Sequence, residues 1–183
     1  MGFQTKSRNL IAKKTTIRTS VAVCSTFEDA QGAVTLLKKA GLSTKKLSVV
    51  GLERRLPGPI IACCKACDEK KSQALHGSPW DGVWSEMVGG EHMHISGIGF
   101  VVMAGPLISE VMKSLKVSYE TGDLTAIGAA LVRQGVDSLD AVRTYERELR
   151  SGKLLLIIRG APLEIAGAHF LLGGTPDGRA TRN

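Results

Sequence analysis

The sequence predicts an α+β domain of split-βαβ order that carries a helical insertion. Three observations predict it. A short strand-like alternation at Ser20–Ser25 runs into a helical repeat. A helix-then-strand pair recurs near the end of the chain. A glycine-rich stretch of low charge separates the two.

Taken in order, Val21 and Val23 alternate with small residues and read as a first strand. Ser25 and Glu28 have capping-box spacing and are expected to open a helix. Phe27, Ala30, Ala33, Val34, Leu37 and Ala40 recur at helical spacing, and Gly41 ends the run. Leu47–Gly51 reads as a second strand. A Pro/Gly turn over Arg54–Pro59 leads to a third, Pro59–Ala66, in a hairpin with the second.

At the other end, Asp137 or Ser138 caps a helix striped by Leu139, Val142, Tyr145 and Leu149. Glu146 and Arg150 form an i,i+4 pair on it, and Gly152 stops it. Lys153–Arg159 holds five consecutive aliphatics, so both faces of that strand are expected to be covered. Pro162 then starts a last helix through Leu172.

The order β-α-β-β, insertion, α-β-α is that of a ferredoxin-like sandwich. The expected divisions are a basic arm at 1–18, the α+β domain at 19–67 and 137–174, the insertion at 68–136 and a tail at 175–183. Within the insertion, Asp81–Gly90 reads as helical, with Trp80 and Trp84 one turn apart. Pro106 begins a helix carrying Leu107, Val111 and Leu115. A second, with Leu124, Ile127 and Leu131, closes at Gly135. This predicts a helical hairpin whose Gly and Ala residues permit close packing.

Composition sharpens this picture. Apolar residues make up 43% of the 183, enough for a core, and 21 are glycine. Five of the 24 Lys and Arg stand in the first 18 residues, and no Asp or Glu precedes Glu28. The rest of the chain is nearly balanced, 19 basic against 17 acidic. Most of the net charge of +7, five units of it, therefore belongs to an arm. Such an arm reads as a solubilising tail, or as a contact for phosphates or an anionic membrane surface. A neutral body disfavours nucleic-acid binding. The arm lacks a secretory apolar stretch, and Lys6 breaks the myristoylation pattern. Crowded cysteines point to a reducing compartment, and so to a protein that is cytoplasmic or membrane-peripheral.

The succession Trp80-Asp81-Gly82-Val83-Trp84, Ser96-Gly97-Ile98-Gly99 and Ala104-Gly105-Pro106-Leu107 resembles the bacterial heat-induced general-stress protein family. Gly135-Val136, Tyr145-Glu146 and Gly152-Lys153-Leu154-Leu155-Leu156 continue the resemblance, which spans roughly residues 18–174. It implies an α+β domain with a Gly-rich helical insertion, often membrane-associated, and no catalytic residue to carry over. Where that family is aromatic-rich between Trp84 and Gly97, this chain carries Glu86, Glu91, His92 and His94. Charges there argue against a membrane span.

Two constellations could carry chemistry. Glu91, His92 and His94 are suitable transition-metal ligands, with the two histidines on one face of an extended segment. Cys63, Cys64 and Cys67 include a C-x-x-C spacing used in metal and redox sites. Phosphate-loop and nucleophile-elbow motifs are missing from the sequence. The sequence thus predicts a non-enzymatic protein that self-assembles into a homo-oligomer, or docks to a partner or membrane surface. Trp80, Trp84, Ile98, Phe100, Val101 and Leu107 are its expected interface. Metal binding or redox work through the histidines and cysteines is the alternative.

Overall fold

The strand β1 (Arg18–Cys24) leads into the helix α1 (Phe27–Lys39). The capping box lies one residue later than expected. Thr26 Oγ1 accepts from the Asp29 N–H at 3.1 Å, and Asp29 Oδ2 accepts from the Thr26 N–H at 3.1 Å. Gly41, at φ +88°, ends the helix, and the Leu42 N–H reaches back to the Leu37 carbonyl. A 3₁₀ turn (Thr44–Lys46) then feeds β2 (Leu47–Leu52). The computed structural model describes residues 17–52, 87, 90–117 and 124–173. The expected strand at 59–66, residues 81–86, 88 and 89 of the expected helix at 81–90, and both chain ends lie outside these residues; Met87 is a bend and Gly90 opens a strand, so neither is helical.

The segment expected to be a helical insertion contributes a β-hairpin before its helices. It comprises β3 (Gly90–Ile95) and β4 (Gly99–Ala104), followed by α2 (Leu107–Val117) and α3 (Ala126–Arg133). Gly97 at φ +80° and Gly99 at φ +113° supply the left-handed backbone that turns the hairpin. Period-2 alternation buries Ile95 and half-buries Met93 and Glu91, and it leaves His92 and His94 outward. Residues 92–109, a stretch with no Asp, Glu, Lys or Arg, are divided between β3, β4 and the start of α2. No helix among the described residues is long and apolar enough to cross a membrane.

The chain ends with α4 (Leu139–Arg150), capped by Ser138, then β5 (Leu154–Gly160) and α5 (Pro162–Leu171). The protein is α+β. Among the described residues the sheet has the order β1-β5-β2-β4-β3, with every neighbouring pair antiparallel. β1, α1 and β2 make a split βαβ unit, since β5 runs antiparallel between the two strands. β4 and β5 likewise straddle β2, but the helices joining them cross the opposite face.

A ferredoxin-like sandwich segregates its helices to one face of the sheet. Here helices cover both. Leu154, Leu156 and Ile158 pack beneath α1 and α5 with Val34, Leu37 and Ala168. Leu155 and Ile157 point the other way, to Val111, Ile127, Leu131, Val142 and Leu149. Five consecutive aliphatics on β5 satisfy both layers, which is why that strand carries no polar alternation.

Close approach locks the second layer to the sheet. Gly105 adopts φ +90°, and a Cβ there would overlap the Leu47 carbonyl oxygen. Only glycine lets the β4–α2 turn press on β2. The Ser48 hydroxyl then accepts from the Leu107 N–H at 3.0 Å and caps α2.

Candidate docking surface

α5 has an unusual distribution of polarity. It starts at Pro162, whose missing N–H costs nothing at the first helical position. Ile165 and Ala168 face the sheet and are buried. The polar side chains of this helix, Glu164 and His169, lie on its flanks and both turn back to the chain.

Glu164 accepts from Lys46 Nζ at 2.6 and 2.8 Å and from the Ala161 N–H at 2.8 Å. The Lys46 hydrogen bond, followed by that of Ala161, holds its carboxyl below the usual range. His169 Nε2 meets Ser20 Oγ at 2.7 Å on β1.

The outward arc is left to Pro162, Leu163, Ala166, Gly167, Phe170 and Leu171, with no charge and no polar side chain. Leu163 and Phe170 are each 84% exposed. Seven residues apart, they lie within about 20° of each other around the helix. A helix apolar on every side is normally buried on every side.

Gly167 sits midway along this arc. A Cβ there would meet nothing within 4 Å, and the residue is not in the left-handed region. Glycine in a helix interior costs about 1 kcal/mol relative to alanine. Nothing in its described surroundings offsets that cost.

The expected interface residues separate. Phe100 is 57% exposed, and its ring packs edge-on to His94 with centroids 5.0 Å apart. Ile98 is half-buried against the second core. Val101 and Leu107 are fully buried and cannot form an interface. Strand alternation turns Val101 inward as soon as Phe100 points outward, and Leu107 enters the core at the start of α2. Trp80 and Trp84 lie outside the described residues.

The chemistry candidates separate too. His92 and His94 share the outward face of β3, as an extended segment requires. Glu91 lies on the opposite face, so the three do not form one ligand set. Among the described residues no group of three or more His, Cys, Asp or Glu side chains is placed to hold a metal ion. Cys63, Cys64 and Cys67 lie outside the described residues. Cys24 is buried in the first core, and burial, with Asp29 nearby, pushes its thiol up to about 11.

The outward face of α5 is the surface that the sequence patterning did not single out. Its signal was available: P-L-E-I-A-G-A-H-F-L has one acid and one histidine in ten residues, too few for a solvent-facing helix. Compared with known protein families, curated proteins and solved structures, the chain matches none.

Proposed function

We propose that this chain is a non-enzymatic protein that assembles with copies of itself through the outward face of α5. The observation that supports this reading is the uncharged arc carrying Leu163 and Phe170, each 84% exposed. Contiguous apolar surface of this kind marks interaction sites in soluble proteins. A stress-associated role rests on the Gly-based motifs that resemble the general-stress family, and the split βαβ unit is the scaffold that presents the helix.

This reading moves the interface from the expected insertion residues to α5, which covers the sheet face shared by Val102 and Ala104. Phe100, on that same face of β4 by strand alternation, is also exposed.

Light scattering on the full chain tests the reading. The expected mass is a multiple of the 19.5 kDa chain. Phe170→Asp is expected to return it to a single chain with an unchanged circular dichroism spectrum, because the side chain makes little contact within its own fold. A wild-type mass of one chain at every concentration overturns the proposal.

A further inference from the structure

A corner of the fold on the sheet face opposite α5 holds buried polar groups that the fold does not pair. Thr19 and Arg159 are cross-strand partners near the ends of β1 and β5. Strand alternation puts both on the face of Val21, Leu155 and Ile157, at the border of the second core. Gln134 ends α3 beside them, because the Thr19 hydroxyl donates to the Gln134 carbonyl.

Gln134 is 6% exposed, and among the described residues neither its amide nitrogen nor its amide oxygen has a hydrogen-bond partner. The Nε of half-buried Arg159 is likewise buried and unpartnered among them. Folded proteins pair nearly all their buried polar groups, since an unpaired one forfeits its hydration for nothing. Here three such atoms belong to two side chains that flank the same threonine.

The local charge indicates what would pair them. Glu110 on α2 is near enough to sense this corner. Its carboxyl is held below the usual range by its hydrogen bond from Lys113, and further by the charges of Arg133 and Arg159. Lys113 bonds that carboxylate at 2.9 Å, whereas neither arginine has an ion-pair partner among the described residues. Three cations against one carboxylate leave the corner positive. The Gln134 amide offers N–H donors and one acceptor, and the Arg159 Nε–H adds a donor. Their complement is an anion with acceptor oxygens and a hydroxyl.

We propose that Gln134 and Arg159 hold a small hydroxyl-bearing oxyanion, a protonated phosphate or a hydroxycarboxylate, where the ends of β1 and β5 meet the end of α3. Its oxygens accept from Arg159 Nε and Gln134 Nε2, and its hydroxyl donates to Gln134 Oε1. Arg133, exposed at the last position of α3, adds attraction from the surface. The site lies on the layer opposite α5 and does not depend on self-assembly.

Isothermal titration calorimetry of the full-length chain at fixed ionic strength tests it, with inorganic phosphate and glycolate as probes and acetate as the hydroxyl-free control. One saturable site per chain is expected for phosphate or for glycolate, and the tighter of the two identifies the source. Acetate is expected to bind at least about tenfold more weakly. Gln134→Leu, close in volume, is expected to weaken binding at least about tenfold and to raise the melting temperature of the ligand-free chain, because the unpaired amide is gone. Arg133→Ala, too exposed to threaten folding, is expected to weaken binding about threefold and to flatten its dependence on salt.

No saturable binding of either probe overturns the proposal and leaves the corner to ordered water only. Binding that survives both Gln134→Leu and Arg133→Ala unchanged puts the anion elsewhere and overturns it equally. Acetate as tight as glycolate overturns the pairing of a hydroxyl with Gln134 Oε1.

Discussion

Glu146 caps the helix that Thr125 begins: its Oε1 accepts the Thr125 N–H at 3.1 Å and the Thr125 hydroxyl at 2.7 Å. The carboxylate is almost fully buried on α4, yet it serves the N-terminus of α3. Arg150 approaches its other oxygen at 3.5 Å and donates from Nε to the Gly97 carbonyl at 2.7 Å. One network thus joins α3, α4 and the β3–β4 turn.

Removing the carboxylate takes the acceptor from two half-buried donors of Thr125 and leaves a void where a buried side chain stood. Glu146→Ala is expected to lower the unfolding free energy by about 3 kcal/mol. Thr125→Ala is expected to cost about 1–2 kcal/mol. Because the two share their bonds, urea denaturation of the double variant should show a loss smaller than the sum. Additive losses would separate the residues energetically.

Gly128 sits over the same carboxylate, and a Cβ on it would overlap Glu146 Oε1. Helix propensity alone favours alanine there by about 1 kcal/mol. The contact reverses the sign. Gly128→Ala is expected to destabilise by about 1–3 kcal/mol in the same assay, the usual range for overpacking. Gly167→Ala, in open space within one chain, should raise the stability of a monomeric background such as Phe170→Asp by about 1 kcal/mol.

Neighbours on β4 should behave as opposites. Phe100→Asp is expected to fold, since the ring already faces solvent. Val101→Asp places a charge in the second core and should abolish cooperative thermal unfolding. Leu107→Ala should cost about 2–5 kcal/mol. Comparable melting curves for Phe100→Asp and Val101→Asp would contradict the register of the hairpin.

The Glu164 carboxyl is held down chiefly by Lys46. A lowered folded-state pKa contributes stability above the ordinary carboxyl range and loses it as pH falls through the folded value. Lys46→Met should therefore raise the Glu164 midpoint in a carbon-detected NMR titration. The Ala161 N–H still bonds the carboxylate, so the midpoint should stop short of the free value. An unmoved midpoint would mean that Lys46 does not hold the carboxylate in solution.

Much of the fold was legible because local signals agreed with burial. Gly41, Ser138, Gly152 and Pro162 mark helix ends where the structure has them, and the aliphatic run of β5 announced a strand covered on both faces. The β3–β4 hairpin was not legible, because the alternation in β3 is only a few residues long and β4 is a continuous apolar run that periodicity alone does not tell from a helix. Which helix lies on which face follows from the parity of β5, and no local signal carries that. The candidate site escaped for a related reason: the apolar residues of α5 read as core until the sheet has taken up only Ile165 and Ala168.

The most direct measurement is the solvent isotope shift of fluorine at Phe170, read with 4-fluorophenylalanine replacing the four phenylalanines and assigned through Phe170→Leu. The account predicts that the shift between light and heavy water falls at position 170 as protein concentration rises. A position 170 that keeps a full solvent shift at every concentration would contradict it.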